Sequence, residues 1–367
     1  MPLLDRLLLR EILLPLGVGM LAILQLLVIL QLLQLNQIVF GSAVTLADLV
    51  RVTIALAPHF LVVAVPLAYM LGMQLGLGRL AGDQELLALG AAGTHPVRLY
   101  RVPLAIGVLL SACVFVLARW AEPWGLRQLN AALNDVIKRN LQTGVVPGVF
   151  NDALPRFMVY VGGEARGTWK GVLIEDEVGD GAPLLTLAES GHVEDAGGEA
   201  LALRLFKGEM HRSEPHGETV ARFDEGRFLV GVQDPVARNN RFTGTQSALS
   251  DSILRERIDE LLREGKRREA ALLQMEVVRR WAVPLACLAF ALLSVPLAVA
   301  TRGARGSAYL ITVAAFAAFY VLSRLGLALA ERGVSAWVAG LMPDAAVLLA
   351  GLGYTRALFK NGFGKPT

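Results

Sequence analysis

Cysteine is nearly absent from this 367-residue chain: the only two, Cys113 and Cys287, lie inside long apolar segments. A buried free cysteine usually behaves as a small hydrophobic side chain. Two isolated cysteines supply neither a disulfide framework nor a cluster of metal ligands. We therefore predict no disulfide bonds and no metal site.

Several motifs of catalytic and nucleotide-binding proteins are also missing. The sequence has no GxxxxGK[ST] phosphate-binding loop, no HExxH zinc motif and no GxSxG nucleophile turn. Of the five histidines, His211 and His216 lie closest together, in a polar stretch typical of a solvated loop. We therefore predict no catalytic residues and no ATP binding through a phosphate loop.

Charge is scarce and unevenly distributed. Charged residues make up 18% of the sequence, and the basic ones form no continuous stripe of the kind that binds nucleic acid. Residues 151–248 contain about half of the 32 acidic residues but only about ten of the 35 basic ones. The rest of the chain is correspondingly basic, as expected of segments that flank anionic membranes. We expect no nucleic-acid partner.

Apolar residues are abundant: the chain is 54% hydrophobic, with a mean hydropathy of +0.51. Six segments are long and apolar enough to cross about 30 Å of hydrocarbon. They cover approximately residues 12–35, 53–77, 99–120, 281–300, 309–330 and 337–358. The first is too long for a signal peptide. The sequence therefore predicts a polytopic α-helical membrane protein with six transmembrane helices, whose second helix carries a GxxxG pair, Gly72 and Gly76, that permits close helix contact.

A region of different character separates the third and fourth spans. Residues 123–150 indicate a helical connection, and residues 249–280 indicate one long amphipathic helix that leads into span four. Between them, residues 151–248 contain five runs that alternate between apolar and polar residues. The runs are Phe157–Val161, Val172–Asp176, Leu184–Val193, Ala200–Met210 and Thr219–Val232, and the predicted turns are Gly162-Gly163, Gly179-Asp180-Gly181 and Gly197-Gly198. We predict an inserted all-β domain, a sandwich or jelly roll.

The distribution of Lys and Arg among the short connections predicts the orientation. If the N-terminus lies inside, the cytoplasmic segments carry ten such residues and the outer loops carry two, Arg51 and Arg332. The ten are Arg6, Arg10, Arg79, Arg98, Arg101, Arg302, Arg305, Arg356, Lys360 and Lys365. This bias places both termini in the cytoplasm and the β domain on the opposite side of the membrane.

The stretch between the second and third spans is short and partly polar. Asp83 and Glu85 begin a helical pattern that continues with Leu86, Leu87 and Leu89, and Gly90 and Gly93 are candidate stops. A helix of about two to three turns is marginal alone in water, so its leucines need a partner surface. Two interpretations remain open: a tight loop on the membrane surface, or a docking helix for a soluble subunit.

A group of arginines lies near the predicted outer ends of spans three, four and five. Arginine matches the geometry of phosphate groups well, which favours a basic rim that binds an anionic lipid headgroup. Ordinary anchoring at the membrane interface is the alternative interpretation. The candidates are Arg119, Arg279, Arg280, Arg324 and Arg332.

The chain resembles the lipopolysaccharide export permeases LptF and LptG over its whole length. DRLLLREILLPL at residues 5–16 is similar to the opening of that family, and LGRLAGDQELLALGAAG at residues 77–93 is similar to its cytoplasmic coupling helix. The β insert corresponds to the periplasmic jelly-roll domain of the family. RRWAVPLACLAFALLSVPLAV at residues 279–299, together with WAEPW at residues 120–124, is closer to LptF than to LptG.

The resemblance implies an ABC transporter permease in the bacterial inner membrane. Its partners would be a cytoplasmic LptB-like ATPase dimer, a second LptG-like permease and a periplasmic LptC/LptA-like jelly-roll bridge. ATP would be bound by the ATPase, and this chain would need no cofactor. Residues 1–122 would hold spans one to three with the coupling helix at about residues 82–93, and residues 281–367 the last three spans and a cytoplasmic tail. The coupling residues would be Asp83, Glu85, Leu86 and Leu89.

In that scheme lipopolysaccharide leaves the outer leaflet of the inner membrane through a lateral gate between spans one and five. Small residues at Gly17, Gly19, Ala314 and Ala318 would permit close helix packing there. The β domain would then pass acyl chains along an apolar groove. A closed core is equally consistent with any single position, because alternating leucines are buried in every sandwich. The groove candidates are Phe157, Leu201, Leu203, Leu205, Phe223 and Phe228.

Two other functions remain open at this point. One is a permease for another lipid or for a lipoprotein. The other is a membrane scaffold that displays a β domain without transporting anything, although a scaffold would need no cytoplasmic docking element.

Overall fold

The computed structural model describes residues 3–34, 45–143, 147–154, 157–165, 167–176, 184–195, 200–214, 217–231, 245–300 and 305–361. The chain divides into two compact units. A helical unit contains residues 1–28, 57–124 and 246–367, and a second unit contains residues 29–56 and 125–245, including the whole β domain.

The helices confirm the predicted membrane architecture. They are α1 (Leu3–Gln34), α2 (Leu46–Gly82), α3 (Glu85–Ala91), α4 (Arg101–Val116), α5 (Glu122–Thr143), α6 (Asp251–Arg263), α7 (Arg267–Ala300), α8 (Arg305–Glu331) and α9 (Ala336–Asn361). Among the described residues, six helical segments are long and apolar enough to cross a membrane. They are Leu3–Leu30, Leu46–Gly82, Pro96–Leu133, Arg267–Ala300, Tyr309–Glu331 and Ala336–Lys360.

Helix α7 is the centre of the helical unit. It is the most buried of the six spans, whereas the spans in α1 and α8 are the least buried. Small residues let its neighbours approach closely: a Cβ at Gly351 of α9 would lie 3.0 Å from the backbone nitrogen of Leu293. Fully buried residues such as Phe290 fill the remaining space. The spans in α1 and α8 therefore keep the largest surfaces for lipid or for a partner.

The predicted close contact at the GxxxG pair is present between α1 and α2. A Cβ at Gly72 would lie 2.8 Å from Cβ of Leu16, and a Cβ at Gly76 would clash with the carbonyl oxygen of Glu11. These clashes involve backbone and Cβ atoms, which cannot move aside as a flexible side-chain end can. The two glycines, about one helical turn apart on α2, therefore let the backbone of α1 approach α2 closely at both positions.

We expect Gly76→Ala to destabilise the protein by about 1–3 kcal/mol, the usual cost of overpacking, despite the better helix propensity of alanine. The measurement is the apparent melting temperature in detergent. Gly17→Ala is the matched control, because a Cβ at Gly17 of α1 meets nothing within 4 Å. Equal melting temperatures for the two variants would show that the close approach at Gly76 contributes nothing.

One turn of π-helix, Leu117–Ala121, joins α4 to α5, so the third span continues without a break into the helical connection. Pro123 lies just after this turn, and proline has no backbone N–H to donate to the carbonyl four residues earlier. A wider turn is one way in which a helix accommodates an irregularity of this kind.

The prediction of a single amphipathic helix over residues 249–280 was wrong. The structure has two helices, α6 and α7, that reverse direction at Gly265, whose φ of +78° is left-handed. Lys266 N–H donates to the Leu261 carbonyl and Gly265 N–H to the Leu262 carbonyl, which is a Schellman stop. The apolar face of each helix then packs on the other, in a core of Leu254, Ile258, Leu261, Ala270 and Leu273.

The inserted β domain is confirmed as one six-stranded antiparallel sheet in which each strand pairs with the next in sequence. The strands are β1 (Phe150–Leu154), β2 (Phe157–Ala165), β3 (Thr168–Asp176), β4 (Leu184–Asp195), β5 (Ala200–Glu214) and β6 (Gly217–Gly231). The five predicted runs fall in β2 to β6, and β1 was not predicted. The turn predicted at Gly162-Gly163 was wrong, because both residues lie within β2 and the chain turns at Gly167. The other two predicted turns lie outside the described residues.

Strict alternation of buried and exposed residues breaks within the strands. On β3, Trp169, Val172 and Ile174 all join one apolar cluster, although residues 169 and 172 would face opposite sides of a regular strand. Gly171 lies between them with a left-handed φ of +61°, and Lys207 of β5 has a φ of +49°. These irregular positions shift the alternation by one residue, so the same face stays apolar along the strand.

Candidate functional site

A short helix, α3, is present where the sequence predicted one, but it is shorter than expected and begins at Glu85. Asp83 lies in the preceding turn, and Gln84 has a left-handed φ of 60° that starts the helix in a new direction. Of the two candidate stops, Gly90 lies within the helix and Gly93 ends it: the φ of Gly93 is +82°, and Thr94 N–H donates to the Leu89 carbonyl in a Schellman motif. We call residues 83–93 the docking segment.

The docking segment has two different faces. Leu86 is 2% exposed and belongs to the main apolar core, with Leu89 packed against the same core. Glu85 and Leu87 are exposed, and Leu87 keeps 47% of its surface accessible. Leu86 and Leu89 therefore hold the segment to its own chain, and the exposed side of the segment consists of Asp83, Glu85 and Leu87. The assignment of Asp83, Glu85, Leu86 and Leu89 as coupling residues stays a prediction.

A salt-bridge network lies in the helical unit where α5 begins. Glu122 is fully buried, and its Oε1 accepts hydrogen bonds from Arg279 of α7 at 2.8 Å and from His59 Nδ1 of α2 at 2.7 Å. A carboxylate can only accept, so Nδ1 of His59 carries the proton. Arg279 also donates to both oxygens of Glu276, at 2.8 and 2.9 Å. Glu122 is thus joined to two other helices.

The network continues through the next residue of α7. Arg280 is 1% exposed and donates to Asp251 Oδ1 at 2.5 Å, to Glu276 Oε1 at 3.4 Å and to the carbonyl of Leu249 at 2.7 Å. Arg119 of the π turn binds the other oxygen of Asp251 at 2.6 Å. Three arginines therefore meet three carboxylates, and the charges balance within the chain.

This pairing changes the interpretation of the predicted basic rim. Arg280 is enclosed by its own chain, and Arg119 and Arg279 have carboxylate partners at ion-pair distance. Their geometry supports a structural role better than contact with a lipid headgroup. Sequence reasoning missed His59 and Glu276 altogether, although a histidine inside an apolar span is a signal for a buried polar partner.

The remaining rim arginines differ from these three. Arg324 is exposed and lies over the ring of Tyr320, 5.1 Å from its centroid, and its Nε donates to the tyrosine hydroxyl at 2.9 Å. Arg332 is exposed just after α8. Of the five rim arginines, Arg324 and Arg332 are the most exposed, whereas Arg119 and Arg279 are partly buried in their ion pairs.

The predicted groove positions whose side chains the structure describes lie in or against one closed apolar interior of the β domain. Leu203 and Leu205 are 1% and 0% exposed and belong to one apolar cluster that also includes Val161. Phe223 and Phe228 of the edge strand β6 are half-buried against this cluster, with their ring centroids 5.6 Å apart. The side chains of Phe157 and Leu201 lie outside the described part of the protein.

A second apolar surface of the sheet borders a cavity of about 750 Å³. Tyr160, Leu173 and Leu187 pair in register across β2, β3 and β4 and line it. Lys207 and Arg222 also line it, beside acidic residues. The β domain therefore combines a closed apolar interior with a solvent-open cavity whose walls are apolar on one side and carry charges of both signs.

Ion pairs connect the last three strands at the surface. Arg204 of β5 donates to Glu194 of β4 at 3.0 Å and to Glu225 of β6 at 2.5 Å. The hydrogen bond from Arg204, with a second from His192, holds the pKa of Glu194 below its usual range. These contacts favour one register of β4, β5 and β6.

Comparison with known families agrees with this architecture. The family model described as "Lipopolysaccharide export system permease LptF/LptG" matches residues 6–357, which is nearly the whole chain. A comparison with curated proteins finds no match. Because the match runs through all six spans and the β insert, the chain belongs to the lipopolysaccharide export permease family LptF/LptG, whose members are multi-pass transport proteins of the inner membrane and not enzymes.

Proposed function

We propose that this chain is one permease of an ABC transporter that extracts lipopolysaccharide from the outer leaflet of the inner membrane. A separate cytoplasmic ATPase dimer binds and hydrolyses the ATP and docks on the docking segment. The observation that carries this proposal is the two-faced geometry of that segment. One face is held in the core by Leu86, and the other offers Glu85 and Leu87 to a partner.

The short connections support the orientation that this function requires. Arg79, Arg98, Arg101 and Arg356 are exposed near the docking segment or at the matching end of α9. An excess of Lys and Arg marks the cytoplasmic side of a membrane protein. In the proposed arrangement the docking segment and both termini lie in the cytoplasm, and the β domain lies in the periplasm.

The least buried spans support a lateral gate shared with a second permease. In α1 and α8 only 17% and 11% of the most apolar window are buried within the chain. Ala314 and Ala318 of α8 are exposed, so this helix offers a surface of small residues for close packing. The second permease would supply the opposite wall of the cavity that lipopolysaccharide enters.

The β domain would receive the acyl chains and pass them to a periplasmic bridge. This role is supported by the apolar interior that Phe223 and Phe228 close at one edge. Half-buried aromatic rings on an edge strand can move apart more easily than the fully buried side chains of a central core. Strand β6 is 15 residues long and lies at one edge of the described sheet, where another sheet could pair with it.

Charge reversal on the docking segment tests the function. We expect Glu85→Lys to abolish assembly with the ATPase, or at least to remove lipid-stimulated ATP hydrolysis by the complex. The exposed carboxylate would become a cation at the proposed interface, where juxtaposed like charges cost several kcal/mol. The measurements are copurification of the ATPase and hydrolysis with and without lipopolysaccharide, in detergent or nanodiscs.

Glu256→Lys on α6 is the matched control, because it reverses an equally exposed glutamate on a short helix far along the chain. It should leave assembly and hydrolysis unchanged. If Glu85→Lys retains wild-type assembly and stimulation, the docking segment does not bind the ATPase through this residue.

A further inference from the structure

The last two turns of α9 contact the 3₁₀ helix Pro96–Tyr100 that follows the docking segment. The Tyr100 hydroxyl and Thr355 Oγ1 form a hydrogen bond of 2.9 Å, and both residues are buried, at 5% and 8% exposure. The centroid of the Phe359 ring lies 5.9 Å from that of the Tyr100 ring, in an edge-to-face arrangement, and 5.9 Å from that of the His95 ring. We call these four residues the clasp.

The clasp is continuous with the core that holds the docking segment. Leu358 of α9 is fully buried in the cluster that contains Leu86 and Leu99. His95 caps the 3₁₀ helix, where its Nδ1 accepts from the Val97 N–H at 3.3 Å. The end of α9 and α3 therefore share one apolar core, the one that holds the docking segment in place.

We propose that the clasp transmits movement of the docking segment to α9, and that Tyr100 and Thr355 are positioning residues for coupling. This inference rests on the proposed function of the docking segment. Apolar packing by Leu358 and Phe359 resists separation but tolerates sliding. A directional hydrogen bond between buried hydroxyls fixes the register of the two elements.

The coupling ratio, lipopolysaccharide released per ATP hydrolysed, is the quantity to measure in proteoliposomes containing the assembled complex. Tyr100→Phe and Thr355→Val each remove one hydroxyl and keep the shape of the side chain. A hydrogen bond contributes about 1 kcal/mol, which is about fivefold in an equilibrium. We expect the ratio to fall about fivefold in either variant while ATP hydrolysis stays within about twofold of wild type.

Two further variants separate positioning from general stability. Thr355→Ser keeps the hydroxyl and should restore the ratio, and Tyr354→Phe removes a hydroxyl from the exposed neighbour and should change nothing. The double variant Tyr100→Phe/Thr355→Val should be no worse than either single variant, because both remove the same bond. An unchanged ratio in the single variants, or a loss that follows protein yield, overturns the proposal.

The wild-type complex distinguishes this inference from the proposed function. If the wild-type chain binds no ATPase, the docking segment has been misassigned. If the wild-type chain binds the ATPase and lipopolysaccharide stimulates ATP hydrolysis, but the clasp variants keep a normal coupling ratio, only the clasp inference is overturned. A short thiol crosslinker between cysteines placed at His95 and Phe359, with Cys113 and Cys287 replaced, adds a second measurement. Transport should survive this link, and its loss would show that the two elements must separate.

Discussion

Replacing Arg280 with methionine should destabilise the protein more than any other single arginine substitution in the chain. The guanidinium is 1% exposed and binds Asp251, Glu276 and two backbone carbonyls, those of Ser247 and Leu249. Methionine has a similar length but no donor, so these acceptors would stay buried without it. Removing one partner of a buried ion pair costs about 3–5 kcal/mol. In this network Asp251 would keep Arg119 and Glu276 would keep Arg279, but three carboxylates would then face only two arginines.

The expected result is a lower apparent melting temperature in detergent and a lower yield of folded protein. Arg280→Lys should be intermediate, since lysine keeps the charge but cannot reach several acceptors with a planar fork. Arg324→Met is the matched control, because Arg324 is exposed and its described partner is Tyr320. That variant should stay within about 0.5 kcal/mol of wild type. If Arg280→Met and Arg324→Met melt alike, the network does not stabilise the fold.

The membrane architecture could be predicted from the sequence because its physical cause is local. A span must hide its backbone in a helix and cover it with apolar side chains, and both requirements act on about 20 consecutive residues. All six spans were therefore predicted, with their ends displaced by several residues. The ends moved because helices such as α2 continue past the hydrocarbon into polar sequence, as far as Gly82.

The polar network could not be predicted because its cause is not local. Glu122 and His59 are 63 residues apart, and Glu122 and Arg279 are 157 apart. From the sequence, Arg279 and Arg280 are two cations at a membrane boundary, where snorkelling and headgroup contact are the usual roles. Only the folded position of α7 shows that each has carboxylates of its own.

The sequence predicted the helix of the docking segment and where it stops, but not which leucine is exposed. Its existence and its stop at Gly93 follow from local residue types, and both are present. The choice of exposed leucine depends on where the helix begins, because each residue turns the helix by about 100°. Gln84 adopts a left-handed conformation that the side-chain pattern did not predict. With the helix starting in this direction, Leu86 lies in the core and Leu87 is exposed to solvent.

The β domain shows the same limit in strands. Five runs were recognised from alternation, but alternation breaks at Gly171 and Lys207, so the extent of the apolar face was not readable from period-2 counting. Strand β1 was missed because its residues, FNDAL, are partly polar and do not alternate. Whether the interior conducts lipid or only supports the fold depends on movement, which a sequence pattern does not encode.

A photocrosslinking residue at Phe228 should capture lipopolysaccharide in living cells, and only while the ATPase is active. Phe228 pairs with Leu203 in register and is half-buried at the edge of the closed interior. An aromatic crosslinker at this site replaces an aromatic ring, so it avoids the overpacking cost of about 1–3 kcal/mol expected at fully buried Leu203. Part of the Phe228 ring is accessible in this structure, so the dependence of the adduct on ATP hydrolysis, rather than the adduct alone, identifies lipid in transit.

Arg227 is the matched control for this prediction, since it is the adjacent residue, is exposed and points to the opposite face of β6. A crosslinker there should give no lipid adduct, and an ATPase that cannot hydrolyse ATP should abolish the adduct at Phe228. Adducts at Leu187 instead would place the acyl route in the cavity beside Tyr160 and Leu173. Folded protein without an adduct at either position would contradict the conduit hypothesis and leave the domain as a docking module, since a closed core needs no lipid to be stable.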